Sequence, residues 1–549
     1  MDQPVSKLRT KKSRSREKQA NRAATKPPLR KHPAIGLLIA ASLWLASVLV
    51  LVIGYILQKQ WPANQLLLLA GDSSLLLVSL LAVGIYMQIV RPDILKQNSR
   101  LLALALICLI PLVVGRGLIY FAESGVLLPL GTTIFLLPFA LPPLLATILF
   151  GGSLGIAVGT WSTLAFAIMS GRSFTVVMAG VITTVVTSSI ARNVRTRSKV
   201  VRKGMIIGVA QIACVFAATA LKEMPPDITV VIHQAGACVL SGVLSAIAAL
   251  LILPAFEAMF HITTDITLLE LSDLGHPLLQ RLAIEAPGTY HHSLVVSNLA
   301  RAAADAIGAN SLLARVCSYF HDIGKLTKPE FFAENQIRRI NPHDDLPPSM
   351  STLIITAHVK EGLSLAVLHK LPEPVVKVIR EHHGTSLLSC FHHKAKSQLE
   401  FELDQGQSGS GVSPQKLNEG DFRYTGPRPT SRESAIICIA DAVEAASRSL
   451  DKVTPANIRG MVDDIVLQRI EDGQLDGSSI TFSELVEVKK ALTFTLTNML
   501  HGRVPYPTNN ENSGNEQSKD SSSKDTVDQK TDGVPDKHRQ QPAPQQAVG

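Results

Sequence analysis

The chain changes texture twice. From residue 34 to 256, apolar residues run in long blocks separated by short polar stretches. From 257 to 507 they recur at helical spacing among charged positions, and after 507 large apolar residues almost vanish. A bilayer crossing needs about 20 apolar residues. The first region divides into eight such blocks, at 34–57, 65–90, 101–121, 126–150, 152–170, 174–191, 204–221 and 230–254. Strand-like alternation is scarce, so the pattern predicts an all-α protein: a polytopic membrane helical bundle of about eight spans, then a helical cytoplasmic domain. Blocks four to six fit least well. Pro138, Pro142 and Pro143 interrupt them, and a re-entrant segment would suit that stretch.

Charge orients the bundle. Residues 1–33 hold eleven Lys and Arg against two acidic residues, a surplus equal to the formal charge of +9 for all 549 residues. The remainder is balanced, so the basic excess reads as a disordered cytoplasmic tail beside anionic lipid, with no nucleic-acid polymer expected as partner. It is also too long, and its following block too apolar, for a signal peptide. Basic residues cluster in 91–100 and 192–203, while 58–64, 122–125, 171–173 and 222–229 carry few. The positive-inside rule then places both termini in the cytoplasm, in a multi-pass protein whose membrane partner is the lipid bilayer. A mean hydropathy of +0.23 excludes a purely cytosolic enzyme. The six cysteines are too widely spaced for a disulfide framework or a zinc ribbon.

Charges inside spans need partners. Asp72 and Arg116 lie at similar depths on consecutive antiparallel spans, and the pattern predicts that they pair. The organisation expected is therefore a tail (1–33), a transmembrane region (34–256), a cytoplasmic domain (257–507) and a disordered polar tail (508–549), with a Gly/Ser/Pro-rich loop at 400–430.

The cytoplasmic domain carries the chemistry. His292, His321, Asp322, His358, His382, His383 and Asp441 each fall near the end of an apolar helical run, which would turn their side chains inward. His292 continues the stripe Val295, Val296, Leu299, whereas His291 falls off it and reads as structural. Buried imidazoles and carboxylates need partners, and convergence on metal meets both needs. Imidazole and carboxylate without thiolate suit manganese or iron better than structural zinc. Seven ligands exceed the usual shell of one ion. Asp322 is the natural bridge between two.

HDIGK at 321–325 is the signature of HD-domain phosphohydrolases. Around it stand EAPGTYHHS (285–293), YFHDIGKLTKPEFFAENQ (319–336), HVKEGLSLA (358–366), REHHGTSL (380–387), DFRYTGPRPTS (421–431), ADAVEAASRSL (440–450) and HGRVPYP (501–507). Together these strings resemble the seven-transmembrane-receptor HD hydrolases, bacterial cyclic-di-AMP phosphodiesterases, over most of 34–507. The resemblance implies two divalent transition-metal ions, Mn2+ or Fe2+. One would sit at His292, His321, Asp322 and Asp441, the other at Asp322, His358, His382 and His383. It implies in-line attack of a metal-bridging hydroxide on cyclic-di-AMP, giving linear pApA, with Asp322 and Lys325 as catalytic residues and Lys325 near a phosphate. The location implied is the bacterial inner membrane. Arg423, Tyr424 and Arg428 are candidate substrate contacts, 341–351 is a candidate flap, and His343 reads as a surface histidine.

Relatives of this type tend to carry a large extracellular domain between the first two spans, where this chain has only QKQWPAN (58–64). Two other readings stay open. One is an HD phosphohydrolase for cyclic-di-GMP or nucleotide phosphates, although the GYP motif expected for the former is missing after His382 and His383. The other is a nucleotide-binding membrane sensor without turnover. Nothing in the pattern decides whether the protein forms a homo-oligomer.

Overall fold

The computed structural model describes residues 33–57, 65–220, 227–336, 341–404 and 417–501. The expected tails, the 58–64 connection and all but the first residue of HGRVPYP lie outside these residues, as does 405–416 of the expected loop. Among the described residues the chain is helical, without a strand, and Leu387 and Arg423 form an isolated bridge.

Eight apolar helices occupy the first region: α1 (Pro33–Leu57), α2 (Gln65–Val90), α3 (Asn98–Glu123), α4 (Leu141–Phe150), α5 (Gly152–Met169), α6 (Phe174–Ile190), α7 (Arg197–Ala220) and α8 (Ile228–Phe260). Six of them are long and apolar enough to cross a membrane. The fourth expected block is not one helix. It holds a single helical turn, Leu130–Thr133, and then α4 with 10 residues, which at 1.5 Å per residue spans about half of a bilayer. Its Pro142 and Pro143 lie in the first turn, where no donor is lost. The irregular chain before it is buried by Phe135, Leu137 and Phe139. Its carbonyls find side-chain donors: Gln234 Nε2 to Gly131 O at 2.9 Å and Ser241 Oγ to Leu137 O at 2.7 Å. Non-helical backbone survives at membrane depth only when protein covers it in this way.

The predicted Asp72–Arg116 pair does not form. Asp72 Oδ1 receives Arg172 Nη2 at 2.8 Å, and its other oxygen accepts from Tyr55 Oη at 3.0 Å. Arg116 instead donates to Gly54 O at 3.1 Å and lies 3.4 Å from Glu123. The reason is packing. α2 lies against α5, whose end leads into Arg172, while α3 lies against α1, which holds Gly54. Helices α7 and α8 cross most closely: a Cβ on Gly242 would fall 2.3 Å from the carbonyl oxygen of Gly204. Small residues make such approaches workable in lipid.

α8 runs past the predicted end at 254, through Pro254, to Phe260. Its 33 residues are about 50 Å long, more than a hydrocarbon core requires. The chain turns at His261, which is left-handed at φ 54°. Glu257 Oε1 then caps the next turn by accepting from Thr264 N at 3.2 Å and Thr267 Oγ1 at 2.8 Å. α9 (Asp265–Leu271) is tied back to the bundle by Arg197–Glu270 at 2.8 Å and Arg195–Asp265 at 3.6 Å. A first apolar core ends with Ile266 and a second begins with Leu268.

The second core is built on α10 (Pro277–Glu285), α11 (Pro287–Ala306), α12 (Ser311–Phe320), α13 (Pro348–Leu368), α14 (Glu373–Glu381), α15 (Ser389–Asp404), α16 (Arg432–Ser447), α17 (Pro455–Glu471) and α18 (Phe482–His501). α13 also has the length and apolarity of a span. It belongs here instead, because Ala366 sits in the second core and His358 faces Asp322. The start of the expected 400–430 loop is helical, since α15 continues to Asp404.

Candidate metal centre

Five helices deliver the histidines and aspartates singled out from the sequence. His292 lies in the second turn of α11, and His321 and Asp322 follow the end of α12. His358 is central in α13, His382 and His383 follow α14, and Asp441 is in α16. Asn310 opens α12 by accepting from Leu313 N at 3.0 Å. The chain leaves α12 in a tight 3-10 turn, Ile323–Thr327. Gly324 is required in that turn: a Cβ there would lie 1.8 Å from His358 O and 2.5 Å from Gly362 N. The absent side chain lets Asp322 approach α13. On the other side, buried Glu381 accepts from Thr430 N at 3.0 Å, Thr430 Oγ1 at 2.7 Å and Ser434 Oγ at 2.8 Å. This pins the start of α16 to the end of α14, and so Asp441 to His382 and His383.

The structure brings all seven residues together in two groups: His292, His321, Asp322 and Asp441, and Asp322, His358, His382 and His383. Within each, one donor atom per residue lies inside 4.8 Å of the others. Asp322 belongs to both. Its Oδ2 is 3.3 Å from His321 Nε2, and its Oδ1 is 3.4 Å from His358 Nε2 and 3.6 Å from His382 Nε2. Asp441 Oδ1 lies 3.0 Å from His292 Nε2, and its Oδ2 lies 3.4 Å from His383 Nδ1.

The outer nitrogens are fixed by backbone. His321 Nδ1 donates to Ser318 O at 2.7 Å, His358 Nδ1 to Ile355 O at 2.6 Å and His382 Nδ1 to Ile379 O at 2.9 Å. Each bond keeps a proton on Nδ1 and turns Nε2 toward the centre, as ligand histidines require. His292 Nδ1 instead pairs with Glu444, whose carboxylate is held by Arg448.

Four atoms at the centre are buried without a hydrogen bond: His292 Nε2, His321 Nε2 and both carboxylate oxygens of Asp322. Lys325 Nζ stands 2.8 Å from Asp322 Oδ2, an ion pair rather than a hydrogen bond in its geometry. Orphaned buried donors and acceptors of this kind are costly. A divalent cation in each group would satisfy them, and the donor set fits one.

The electrostatics divide the same way. Burial opposes charge on His292 and His321, but neighbouring carboxylates outweigh it and raise both. Burial pushes His358 down to about 4 and, with the nearby His382, holds His383 well below its ordinary value. Asp322 and Asp441 resist the effect of burial: Lys325 and His321 hold the first well below the usual carboxylate range, and His292 and His321 the second. His321, raised to about 10, carries a proton that a metal would displace, whereas His358 and His383 are held as neutral imidazole.

Lys325 is raised, since Asp322 and Glu334 outweigh its burial. Its ammonium donates to Glu334 Oε1 at 2.7 Å and lies 4.9 Å from the Phe332 ring centre. Glu334 also accepts from Thr289 Oγ1 at 3.0 Å. Tyr424 stacks on His383, 4.2 Å between centroids, and with Lys325 lines a cavity of about 150 Å3 over the ligands. Arg423 and Arg428 stand elsewhere, in ion pairs with Glu419 and Asp472 and with Asp476. His343 is not at the surface. It is buried, donates to Phe331 O at 3.0 Å and packs on Phe391.

Glu334, Glu444 and Arg448 were missed. The signal for the last two was available in ADAVEAASR, where 441, 444 and 448 share one helical face.

A multi-helix membrane bundle joined to a helical domain with a paired His/Asp centre defines a membrane-anchored HD-domain protein. Residues 66–264 match the family model described as 7TM receptor with intracellular HD hydrolase, and residues 289–446 match that of the HD domain. The chain belongs to this family of seven-transmembrane HD hydrolases. Residues 66–264 hold α2 to α8, seven of the eight apolar helices apart from the first residue of α2. The chain is 42% identical over 269 residues to the cyclic-di-AMP phosphodiesterase PgpH of Bacillus subtilis, covering 49% of this chain and 36% of that protein. It is 36% identical over 379 residues to the protein of the same name from Listeria monocytogenes, covering 68% of this chain and 50% of that one. The chain thus spans half or less of these curated relatives. A crystal structure of the L. monocytogenes PgpH HD domain in complex with cyclic-di-AMP is 42% identical, covering 42% of this chain and 100% of that chain, with a TM-score of 0.38.

Proposed function

We propose that the protein is a di-metal phosphodiesterase of the bacterial inner membrane that hydrolyses cyclic-di-AMP to linear pApA, with both termini cytoplasmic. One observation carries the chemistry: Asp322, buried and ionised, is shared by two ligand groups of four. The substrate is suggested by the two PgpH proteins, whose names give this activity. Orientation is supported by the basic 192–203 segment, whose Arg195 and Arg197 bond α9 of the metal-bearing domain. Mn2+ or Fe2+ suits a set of imidazoles and carboxylates without thiolate.

Bound divalent ions supply Lewis-acid charge and make water nucleophilic at neutral pH. The chain does the rest. Backbone-locked imidazoles hold Nε2 in place before substrate arrives, which limits reorganisation. Lys325, fixed between Asp322 and Glu334, adds positive charge beside the phosphoryl oxygens. The Tyr424 ring forms an apolar wall for a base, and Phe332 keeps water from Lys325. Water adds at phosphorus and the ribose 3′ oxygen leaves with a proton, opening one of two diesters to give pApA.

The test is turnover by the full chain in detergent with Mn2+ or Fe2+. Cyclic-di-AMP should yield pApA, with cyclic-di-GMP and nucleoside triphosphates cleaved far more slowly. Faster cleavage of either alternative would reassign the substrate. Metal-loaded protein that cleaves none of them would make it a binding sensor.

A further inference from the structure

Beyond the metal-facing cavity lies a second of about 380 Å3, lined by Gly288, His291, Ala333, Glu334 and Arg448. The two cavities share Glu334 and Arg448 as walls. Small-molecule sites generally measure about 300–1,000 Å3. The inner cavity, about 150 Å3, is below that range and has room for one phosphodiester and little more. A ligand with two diesters must extend outward, past the shared wall.

That wall is equipped for an anion. Arg448 spends Nε and Nη2 on Glu444, at 3.0 Å and 2.6 Å, while Nη1 makes no hydrogen bond among the described residues. The Glu444 carboxylate raises Arg448 despite its partial burial, so the guanidinium is permanently charged. His291, the exposed neighbour of a ligand histidine, likewise has no hydrogen-bonded partner among the described residues and offers a ring N–H. Glu334 shares this space, but Lys325 lies 2.7 Å from it and offsets its charge.

We infer that this outer cavity is a second phosphate subsite, in which Arg448 and His291 hold the non-reacting diester of a cyclic dinucleotide while the other diester lies against the metal centre. The inference rests on the proposed phosphodiesterase reading and adds a specificity device to it. Arg448 then links two tasks on one helix face: it steadies Glu444 behind His292 and reads a phosphate in front.

The experiment compares two substrates on the full chain with Mn2+: cyclic-di-AMP, with two diesters, and bis(p-nitrophenyl) phosphate, with one. For His291→Ala and Arg448→Gln, kcat/KM should fall by a factor roughly tenfold or more larger on cyclic-di-AMP than on the small diester, mostly through KM. That is the size of losing a hydrogen bond to a charged group. Glu444→Gln, which acts through His292, should lower both substrates by similar factors. Calorimetry of cyclic-di-AMP binding to Asp322→Ala protein should show the same weakening on adding His291→Ala. Equal losses on both substrates for His291→Ala and Arg448→Gln, or unchanged KM for cyclic-di-AMP, would overturn the subsite while leaving the phosphodiesterase reading intact. Failure of the unaltered chain to cleave cyclic-di-AMP would overturn the reading beneath it.

Discussion

Gly324 and His358 meet backbone to backbone: a single added carbon on Gly324 would sit 1.8 Å from the His358 carbonyl oxygen. The HDIGK string therefore needs its glycine for a contact with a helix more than thirty residues away. That contact sets the separation of Asp322 from the imidazoles of His358 and His382.

Gly324→Ala should accordingly act on the site before it acts on the fold. Overpacking of this kind costs about 1–3 kcal/mol, and a displacement of about 1 Å can reduce turnover about 10²-fold. Circular dichroism should remain helical while turnover collapses. Unaltered turnover would show that the turn can move without carrying Asp322.

Glu444→Gln should weaken the first metal group selectively. Loss of a carboxylate behind a ligand histidine typically costs 10–100-fold in metal affinity. Equilibrium dialysis with elemental analysis should show one weakened ion and one retained. Equal weakening of both would place Glu444 in a general structural role.

Metal binding should release protons, and mainly from one group. His292 and His321 are both raised, and His321, at about 10, holds a proton at neutral pH without metal, so binding must displace at least that one. His358, at about 4, has none to give there. Affinity of the first group should therefore fall as pH is lowered, while His358 and His383 add no such dependence to the second near neutral pH. Titration calorimetry in buffers of different ionisation enthalpy would count the protons. Zero release would contradict the charge assignment.

In the membrane region, Asp72 should couple to Arg172 and not to Arg116. Arg172→Ala leaves a buried carboxylate without its cation and should lower the unfolding temperature in detergent. Asp72→Asn added to it should restore most of the loss, a coupling of about 0.5–3 kcal/mol. Additive effects would dissolve the pair.

These cases separate what was legible in the sequence from what was not. The seven ligand candidates stood out because histidine and aspartate are rare at the ends of apolar helical runs, and the structure gathers all of them. Eight apolar blocks were equally visible, and prolines marked the one that is broken. Partner choice was not visible. Depth along a span places Asp72 level with Arg116, but only the packing of α2 on α5 shows that Arg172 is its neighbour. Glu444 shares a helical face with Asp441, but nothing local marks Glu334, and neither residue's partner can be read from the sequence. Their roles arise where α16 meets α11 and where the 333–335 turn meets Lys325. Arg423 and Arg428 looked free to meet a phosphate because their partners Asp472 and Asp476 are more than forty residues away.

The sharing of Asp322 between two ions is tested most directly by metal stoichiometry, measured alongside cyclic-di-AMP hydrolysis for the full chain and for Asp322→Ala. The expected result is two ions per unaltered chain, loss from both groups in the variant, and hydrolysis reduced by several orders of magnitude. A variant that keeps two tightly bound ions, or that still opens cyclic-di-AMP at a comparable rate, would contradict it.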